Sequence, residues 1–525
     1  MTQTQAPGSV TQGHNGHGNG LGFGIETGKL VGHLIGGQWV ESTGGKHFQT
    51  TNPATGETLA DLSEGSAADV DKAVAAANKA FKSWRLVPAP KRGEILFRAG
   101  QLLMERKEDM ARLMTQEMGK VLAEARGDVQ EAIDMTFYMA GEGRRLAGQV
   151  VPSELPNKWA MTMRDPVGVV GAITPWNFPV AIPSWKIMPA LIAGNTVVIK
   201  PASDTPLCVV ALIKILEEAG VPAGVLNMVM GPGSVVGTAL LEHPDVPIIS
   251  FTGSTEAGTI VAVEAAKRLK RVSLEMGGKN AIIVMDDADL DLALEGILWS
   301  AFGTSGQRCT AASRVIVHRS VQGALEERLK ARIEQLRLGN GLDSGTDIGP
   351  VINKGQLQRI HGMVQAGTKD GTRLVTGGSI AAGGDLGKGA FYTPTLFSDA
   401  KPDSMVAQEE IFGQVTTLVP VDSFAEAIAV NNATKYGLSS SIYTADVNKA
   451  FAAMRDITTG IVYINAGTIG AEIQVPFGGT RGTGNGHREA GQAGLDTFTE
   501  WKTIYVDYSG KLQRAQIDLT EDPAP

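Results

Sequence analysis

Between Trp159 and Met276 short β-branched runs alternate with amphipathic helices, and this alternation constrains the chain more than any other feature. The segments VGVVGAIT, NTVVIK, VLNMVM, IISFTG and RVSLEM read as strands, because short apolar runs bounded by turn residues suit strands buried on both faces. Between them, TPLCVVALIKILEEAG reads as a helix opened by Thr205-Pro206 and closed by Gly220. SVVGTALLEH and EAGTIVAVEAAKRL carry the same helical spacing. This β-α order predicts a doubly wound α/β sheet that binds ligands at the carboxyl ends of its strands. A second alternating block runs from Ala281 to about Thr480, and the stretch from Asp69 to Leu146 is helical by the spacing of Ala73, Val74, Ala77 and Phe81. WAMTMR and YVDYSG read as strands outside both blocks.

With 525 residues, the chain has room for more than one domain. Its 43% apolar and 19% charged content is that of a globular protein. The net charge of -8 gives no electrostatic footprint for nucleic acid. No apolar run reaches the ~18 residues of a membrane span. The two cysteines cannot build a disulfide framework or a zinc site, so no metal is expected. Cys208 lies in an apolar run and reads as an inert buried thiol, whereas Cys309 lies among small and polar residues. Residues 1–30, rich in Gly, Gln, Thr and Asn, read as a disordered tail in which His14 and His17 are solvated. They carry neither an apolar signal core nor arginines, so a cytoplasmic location is the default expectation.

Two strand-to-helix turns are glycine-rich. VLNMVM ends in Gly231-Pro-Gly233-Ser-Val-Val-Gly237, one residue longer than the usual dinucleotide fingerprint, and the next strand ends in Gly253-Ser254 with Gly258 beyond. Alone, each is turn chemistry; in succession they point to phosphate held at a helix N-terminus. Lys200, at the end of NTVVIK, falls near the expected ligand crevice, although a solvated strand-end lysine fits it equally.

Three further segments carry the chemistry: Thr174-Pro175-Trp176-Asn177-Phe178-Pro179, Leu274-Glu275-Met-Gly277-Gly278-Lys279-Asn280, and Phe302-Gly-Thr-Ser-Gly306-Gln307-Arg308-Cys309-Thr310. Together, in this order and with this separation of Glu275 from Cys309, they resemble the aldehyde dehydrogenase superfamily over about residues 31–505. The resemblance implies Cys309 as the nucleophile that forms a thiohemiacetal and then a thioester. It implies an oxyanion site from the Asn177 amide and the Cys309 backbone N–H, though read alone Asn177 is a loop-capping asparagine. Glu275 becomes the general base for thioester hydrolysis, and Lys186 in PSWKIMPA a support for proton transfer near it. Thr174, Pro175, Trp176, Lys200, Ser203, Gly233, Gly237, Gly253, Ser254 and Gly277 then belong to the cofactor site. So do Glu410 and Phe412, in a segment where Gln414 replaces the proline usual in the family.

Serine at 203, where NAD-selective relatives often carry glutamate, removes a charge that would repel a 2′-phosphate. NAD is the first expectation and NADP is open. The segment from Gly467 to Ile473, with Gly470 and Ala471, is similar to the aldehyde-anchor loop of semialdehyde dehydrogenases. Arg308 either draws a substrate carboxylate or forms a structural ion pair. The expected substrate is an amino- or keto-acid semialdehyde, a small molecule. Two rivals stand beside this reading: a CoA-acylating relative, against which Glu275 argues, and a non-catalytic protein on the same fold. The implied aldehyde dehydrogenase fold has a Rossmann-like cofactor domain (31–147 and 172–277), an α/β catalytic domain (278–480) and a small β bridging element (148–171 and 493–515). It also implies a homodimer or homotetramer.

Overall fold

The strands Val169–Ile173 and Thr196–Lys200 are buried at every position, which is why they read as unbroken apolar runs. They form the centre of a seven-stranded sheet in the computed structural model, which describes residues 20–518. Across this sheet the order is Arg271–Glu275, Ile248–Thr252, Val169–Ile173, Thr196–Lys200, Leu226–Met228, His33–Ile35 and Gln38–Val40. The first five are parallel, and the last two add an antiparallel hairpin. Chain order reverses between Val169–Ile173 and Ile248–Thr252. That is the switch point where an open α/β sheet leaves a crevice beyond its strand ends. Out of it emerge Thr174–Asn177 on one side and Gly253–Ser254 on the other.

Helices Ala67–Trp84, Ala89–Glu105, Lys107–Met118 and Leu122–Glu142 account for the helical stretch that precedes the sheet. The second block forms another seven-stranded sheet, with Asn280–Val284 between Ala312–His318 and Ser439–Tyr443. Only Met276–Lys279 separates the last strand of the first sheet from the first of the second. The Glu275 motif is thus the covalent joint between the two sheets.

Thr499–Asp507, Lys158–Pro166 and Val150–Pro152 make a separate three-stranded antiparallel sheet. The two segments read as strands outside both blocks are therefore strands, while Val169–Ile173 belongs to the first sheet and Ala493–Phe498 is a helix. The tail needs a larger correction. Gly20–Gly22 pairs with Ile25–Glu26, Ile25 is buried, and Lys214 Nζ donates to Phe23 O at 2.8 Å. Leu21 and Phe23 pack on the core beside it, apolar anchors hidden by a glycine-rich composition. Positions 1–19 of the tail, with His14 and His17, lie outside the described residues.

Candidate active site

The helix Leu290–Phe302 stops at Gly303, and the chain then takes three successive left-handed residues, with φ of 53° at Thr304, 55° at Ser305 and 67° at Gly306. For a non-glycine residue this costs about 1–3 kcal/mol, so the surroundings must enforce it. They do. Glu124 Oε1 accepts the Thr304 N–H at 2.7 Å, and Ser305 Oγ donates to Gly349 O at 2.8 Å. A Cβ on Gly306 would stand 2.1 Å from Gly413 O, so only glycine fits. Beyond the turn, Asn280 Nδ2 donates to Cys309 O at 2.7 Å. The loop therefore presents Cys309 from a fixed backbone.

Asn177 lies across from this loop, its Nδ2 donating to Gln307 O at 3.0 Å. Glu275 is buried, and both carboxylate oxygens are without a hydrogen-bond partner among the described residues. Gly478 packs against it, where a Cβ would fall 2.5 Å from Oε1. Burial, then the nearby Glu489 carboxylate, hold the Glu275 carboxyl well above the usual range, with Lys186 and Arg488 opposing. Lys186 does not itself touch Glu275: its Nζ pairs with Glu489 and donates to Ser250 Oγ at 3.0 Å. Glu489 escaped the sequence reading, since nothing local marks it.

Burial pushes the Cys309 thiol up to about 12, helped by the negative charges of Glu275, Glu410 and Glu131. The thiolate is the reactive form, so at pH 8 little of it is present in the free protein. Alkylation of Cys309 by iodoacetamide should then rise about tenfold per pH unit from 7 to 10. Mass spectrometry of the labelled peptide checks this, and a plateau near pH 8 would contradict it.

Two clefts meet at Cys309. One, of about 340 Å³, is lined by Pro175, Trp176, Asn177, Gly253, Ser254, Gly277, Glu410 and Phe412. Trp176 and Phe412 stand edge to face across it at 5.4 Å, and Glu410 Oε1 accepts the Gly278 N–H at 2.8 Å. Gly277 lies against the Glu410 carboxylate: a Cβ would fall 2.2 Å from Oε2, so a side chain here would displace that carboxylate. Gln356 and Arg359, missed in the sequence, also line this cleft and hold the loop, Gln356 Nε2 donating to Phe412 O at 2.7 Å and Arg359 Nη2 to Glu410 O at 3.1 Å.

Lys200, Ser203, Gly233 and Gly237 gather around the neighbouring turn. Lys200 Nζ and Ser203 Oγ donate to Gly231 O at 3.1 and 3.2 Å, and a Cβ on Gly237 would lie 3.8 Å from Lys200 Cδ. Thr174 is buried at the adjoining strand end, its Oγ1 without a hydrogen-bond partner among the described residues. The solvated-lysine alternative for Lys200 is thereby set aside.

The second cleft, of about 120 Å³, is lined by Glu275, Arg308, Gly470, Ala471 and Glu489 together with apolar Phe178, Trp185 and Phe477. Arg308 is the only cationic side chain in this lining. It is also held structurally, with Nη2 3.5 Å from Glu124 Oε1, Nε donating to Thr304 Oγ1 at 2.9 Å, and Trp299 and Phe178 rings within 5.0 and 5.4 Å. The ion-pair reading of Arg308 is thus present in the structure. Glu131 lines this cleft and also the outer groove with Asp134 and Glu472.

The loop that presents Cys309 thus meets the buried Glu275 carboxyl and the Asn177 amide between two clefts. The model of the aldehyde dehydrogenase family matches residues 39–504, and the chain belongs to that family. The chain is 42% identical, over 90% of its length and 97% of the relative's, to the alpha-ketoglutaric semialdehyde dehydrogenase of Bacillus subtilis (strain 168). Its fold superposes on an NADP-dependent enzyme of E. coli with a TM-score of 0.88 at 39% identity, covering 91% of this chain and 98% of the other. It superposes on the betaine aldehyde dehydrogenase of Staphylococcus aureus in complex with NAD+ with a TM-score of 0.90 at 34% identity, covering 92% and 95%. The protein is accordingly an NAD(P)-dependent aldehyde dehydrogenase with the α/β fold of that family. No helix among the described residues is long and apolar enough to cross a membrane.

Proposed function

We propose that the protein oxidises the semialdehyde of an amino or keto acid to the carboxylic acid through a thioester on Cys309. The observation that carries this reading is the convergence of Cys309, Glu275 and Arg308 on one small cleft that opens onto a second cleft at the sulfur. The residues of the larger cleft fit a nicotinamide dinucleotide: Trp176 and Phe412 wall it with aromatic rings, and the Thr174 hydroxyl, unpaired among the described residues, lies at the strand end beside it. When bound, that cofactor supplies the hydride acceptor. Trp176, Pro175, Glu410 and Phe412 would hold its nicotinamide half, and Ser254 with the helix Thr255–Ala266 its pyrophosphate. Lys200 and Ser203 would meet the adenosine ribose. No carboxylate at 203 repels a 2′-phosphate, so NAD is the first expectation and NADP is accepted.

Cys309 gives its thiol proton to solvent, and the thiolate so formed adds to the aldehyde carbon. The developing oxyanion takes hydrogen bonds from the Asn177 amide and the Cys309 N–H. Hydride leaves that carbon and the thioester remains. Glu275, as carboxylate, takes a proton from the water that attacks the thioester, releasing acid and thiol. Lys186 and Glu489 hold charge around that carboxylate. Hydrolysis, rather than transfer to CoA, follows from the base standing in the cleft.

Arg308, the cationic side chain in this cleft's lining, would meet the carboxylate of a keto-acid semialdehyde such as the one named for the Bacillus relative. A charge-assisted hydrogen bond is worth about 1.5–3 kcal/mol. Arg308→Gln should lower kcat/KM for a carboxyl-bearing semialdehyde by about 10- to 100-fold, and much less for a neutral aldehyde of equal length. Steady-state assays with NAD or NADP, with and without CoA, test the whole reading. Equal losses on both aldehydes would leave Arg308 with its structural role alone, and a requirement for CoA would overturn the hydrolytic one. For assembly we propose a homodimer or homotetramer joined through the strands Lys158–Pro166 and Thr499–Asp507, on which Trp159, Met163, Trp501 and Tyr505 are exposed.

A further inference from the structure

An ion pair sealed inside the protein remains outside this chemistry. Lys120 Nζ lies 2.8 Å from Asp128 Oδ2, and both side chains are fully buried. Desolvation makes such a pair weak evidence for stability in itself, so its geometry is the informative part. Lys120 Nζ also donates to Asn177 O at 2.8 Å and stands 4.0 Å from the Phe178 ring centroid. Asp128 Oδ1 accepts the Ala181 N–H at 2.8 Å. One ion pair thus grips both ends of the segment from Asn177 to Ala181.

The backbone of Lys120 ties this grip to the opposite wall. It leaves the helix Lys107–Met118 through Gly119 (φ 94°) and lies against a strap at residues 341–352. A Cβ on Gly341 would fall 2.6 Å from Lys120 O, and one on Gly349 would fall 2.0 Å from Gly119 O. Leu122 N–H donates to Gly341 O at 3.0 Å. The same strap carries the nucleophile loop, since Gly349 O accepts from Ser305 Oγ and Ile352 N–H donates to Gln307 Oε1 at 3.0 Å.

We propose that Lys120 and Asp128 are positioning residues for the oxyanion site: they set the Asn177 amide in register with Cys309 through a buried clamp on the Asn177 carbonyl. The proposal rests on the oxyanion reading of Asn177. A misplacement of about 1 Å at a reacting centre can cost about 10²-fold in rate.

The test is a double-mutant cycle on the full-length enzyme. Lys120→Met should lower kcat by about 10²-fold with the aldehyde KM kept within about threefold. Combined with Asn177→Ala it should be no slower than Asn177→Ala alone, because both remove the same interaction. Cys309 alkylation by iodoacetamide, which develops no carbonyl oxyanion, should keep its wild-type rate in Lys120→Met. A merely structural role would slow alkylation as well and give additive losses; either result overturns the proposal. If Lys120→Met does not fold, Asp128→Asn carries the same cycle, since its Oδ1 can still accept the Ala181 N–H. A wild-type kcat in Asp128→Asn would also overturn it. Asn177→Ala at the wild-type rate would remove the oxyanion reading itself, whereas a slow Asn177→Ala with an additive cycle removes only the clamp.

Discussion

Cys309→Ala should reduce aldehyde-dependent formation of reduced cofactor by at least about four orders of magnitude, the scale on which loss of a covalent nucleophile falls. An aldehyde carbonyl is a poor hydride donor. The tetrahedral thiol adduct is a good one, because its oxyanion collapses to a carbonyl as hydride departs. Nothing else in the chain can replace the sulfur. Cys208, the other cysteine, is fully buried in the helix Pro206–Ala219, and burial followed by the adjacent Glu117 pushes its thiol well above the usual range. Folding and cofactor binding should survive the substitution, since the larger cleft keeps its Trp176 and Phe412 walls. Quenching of tryptophan fluorescence on titration with NAD or NADP checks that the inactive variant still binds. Turnover within tenfold of wild type would end the thioester reading.

The candidate reacting groups were legible because each sits in a compact run of recognisable residues. Gly306, three residues before Cys309, belongs to such a run although the group that requires it, Gly413 O, comes from far along the chain. The parallel strands themselves were legible too, because burial on both faces leaves short apolar runs bounded by turns, whereas the hairpin of His33–Ile35 and Gln38–Val40 that completes the sheet was not. Residues whose work is tertiary left no such mark. Lys120 reads as an ordinary lysine after a helix-ending glycine, and Glu489 as a surface acid. Only the fold brings one to Asn177 O and the other to Lys186. Glu131 likewise is one acid among several on a long helix until the cleft is seen. Gln414 marks the opposite case: a visible departure from the family, expected to change loop stiffness. Its side chain is buried and Nε2 donates to Tyr392 O at 2.9 Å, so the position is tied down by a hydrogen bond instead of by a ring.

Glu275→Gln should separate the two halves of the reaction. The amide keeps the shape of the side chain and loses the ability to accept a proton from water. Acylation should proceed and deacylation stall, giving a burst of about one reduced cofactor per active site and then a steady rate about 10²- to 10⁴-fold below wild type. Intact-mass measurement on the quenched enzyme should find the acyl group on the Cys309 peptide. The pH dependence of the wild-type enzyme carries the sign of the same assignment. Burial and Glu489 raise the Glu275 carboxyl, so the protonated, inactive form persists to higher pH than for an ordinary glutamate. Deacylation should therefore climb with pH well past the usual carboxylate range and level off only above the raised value. In Glu275→Gln that rising limb should disappear. A linear progress curve at the wild-type rate, with the rising limb intact, would move the general base elsewhere in the cleft, with Glu489 the next carboxylate to test.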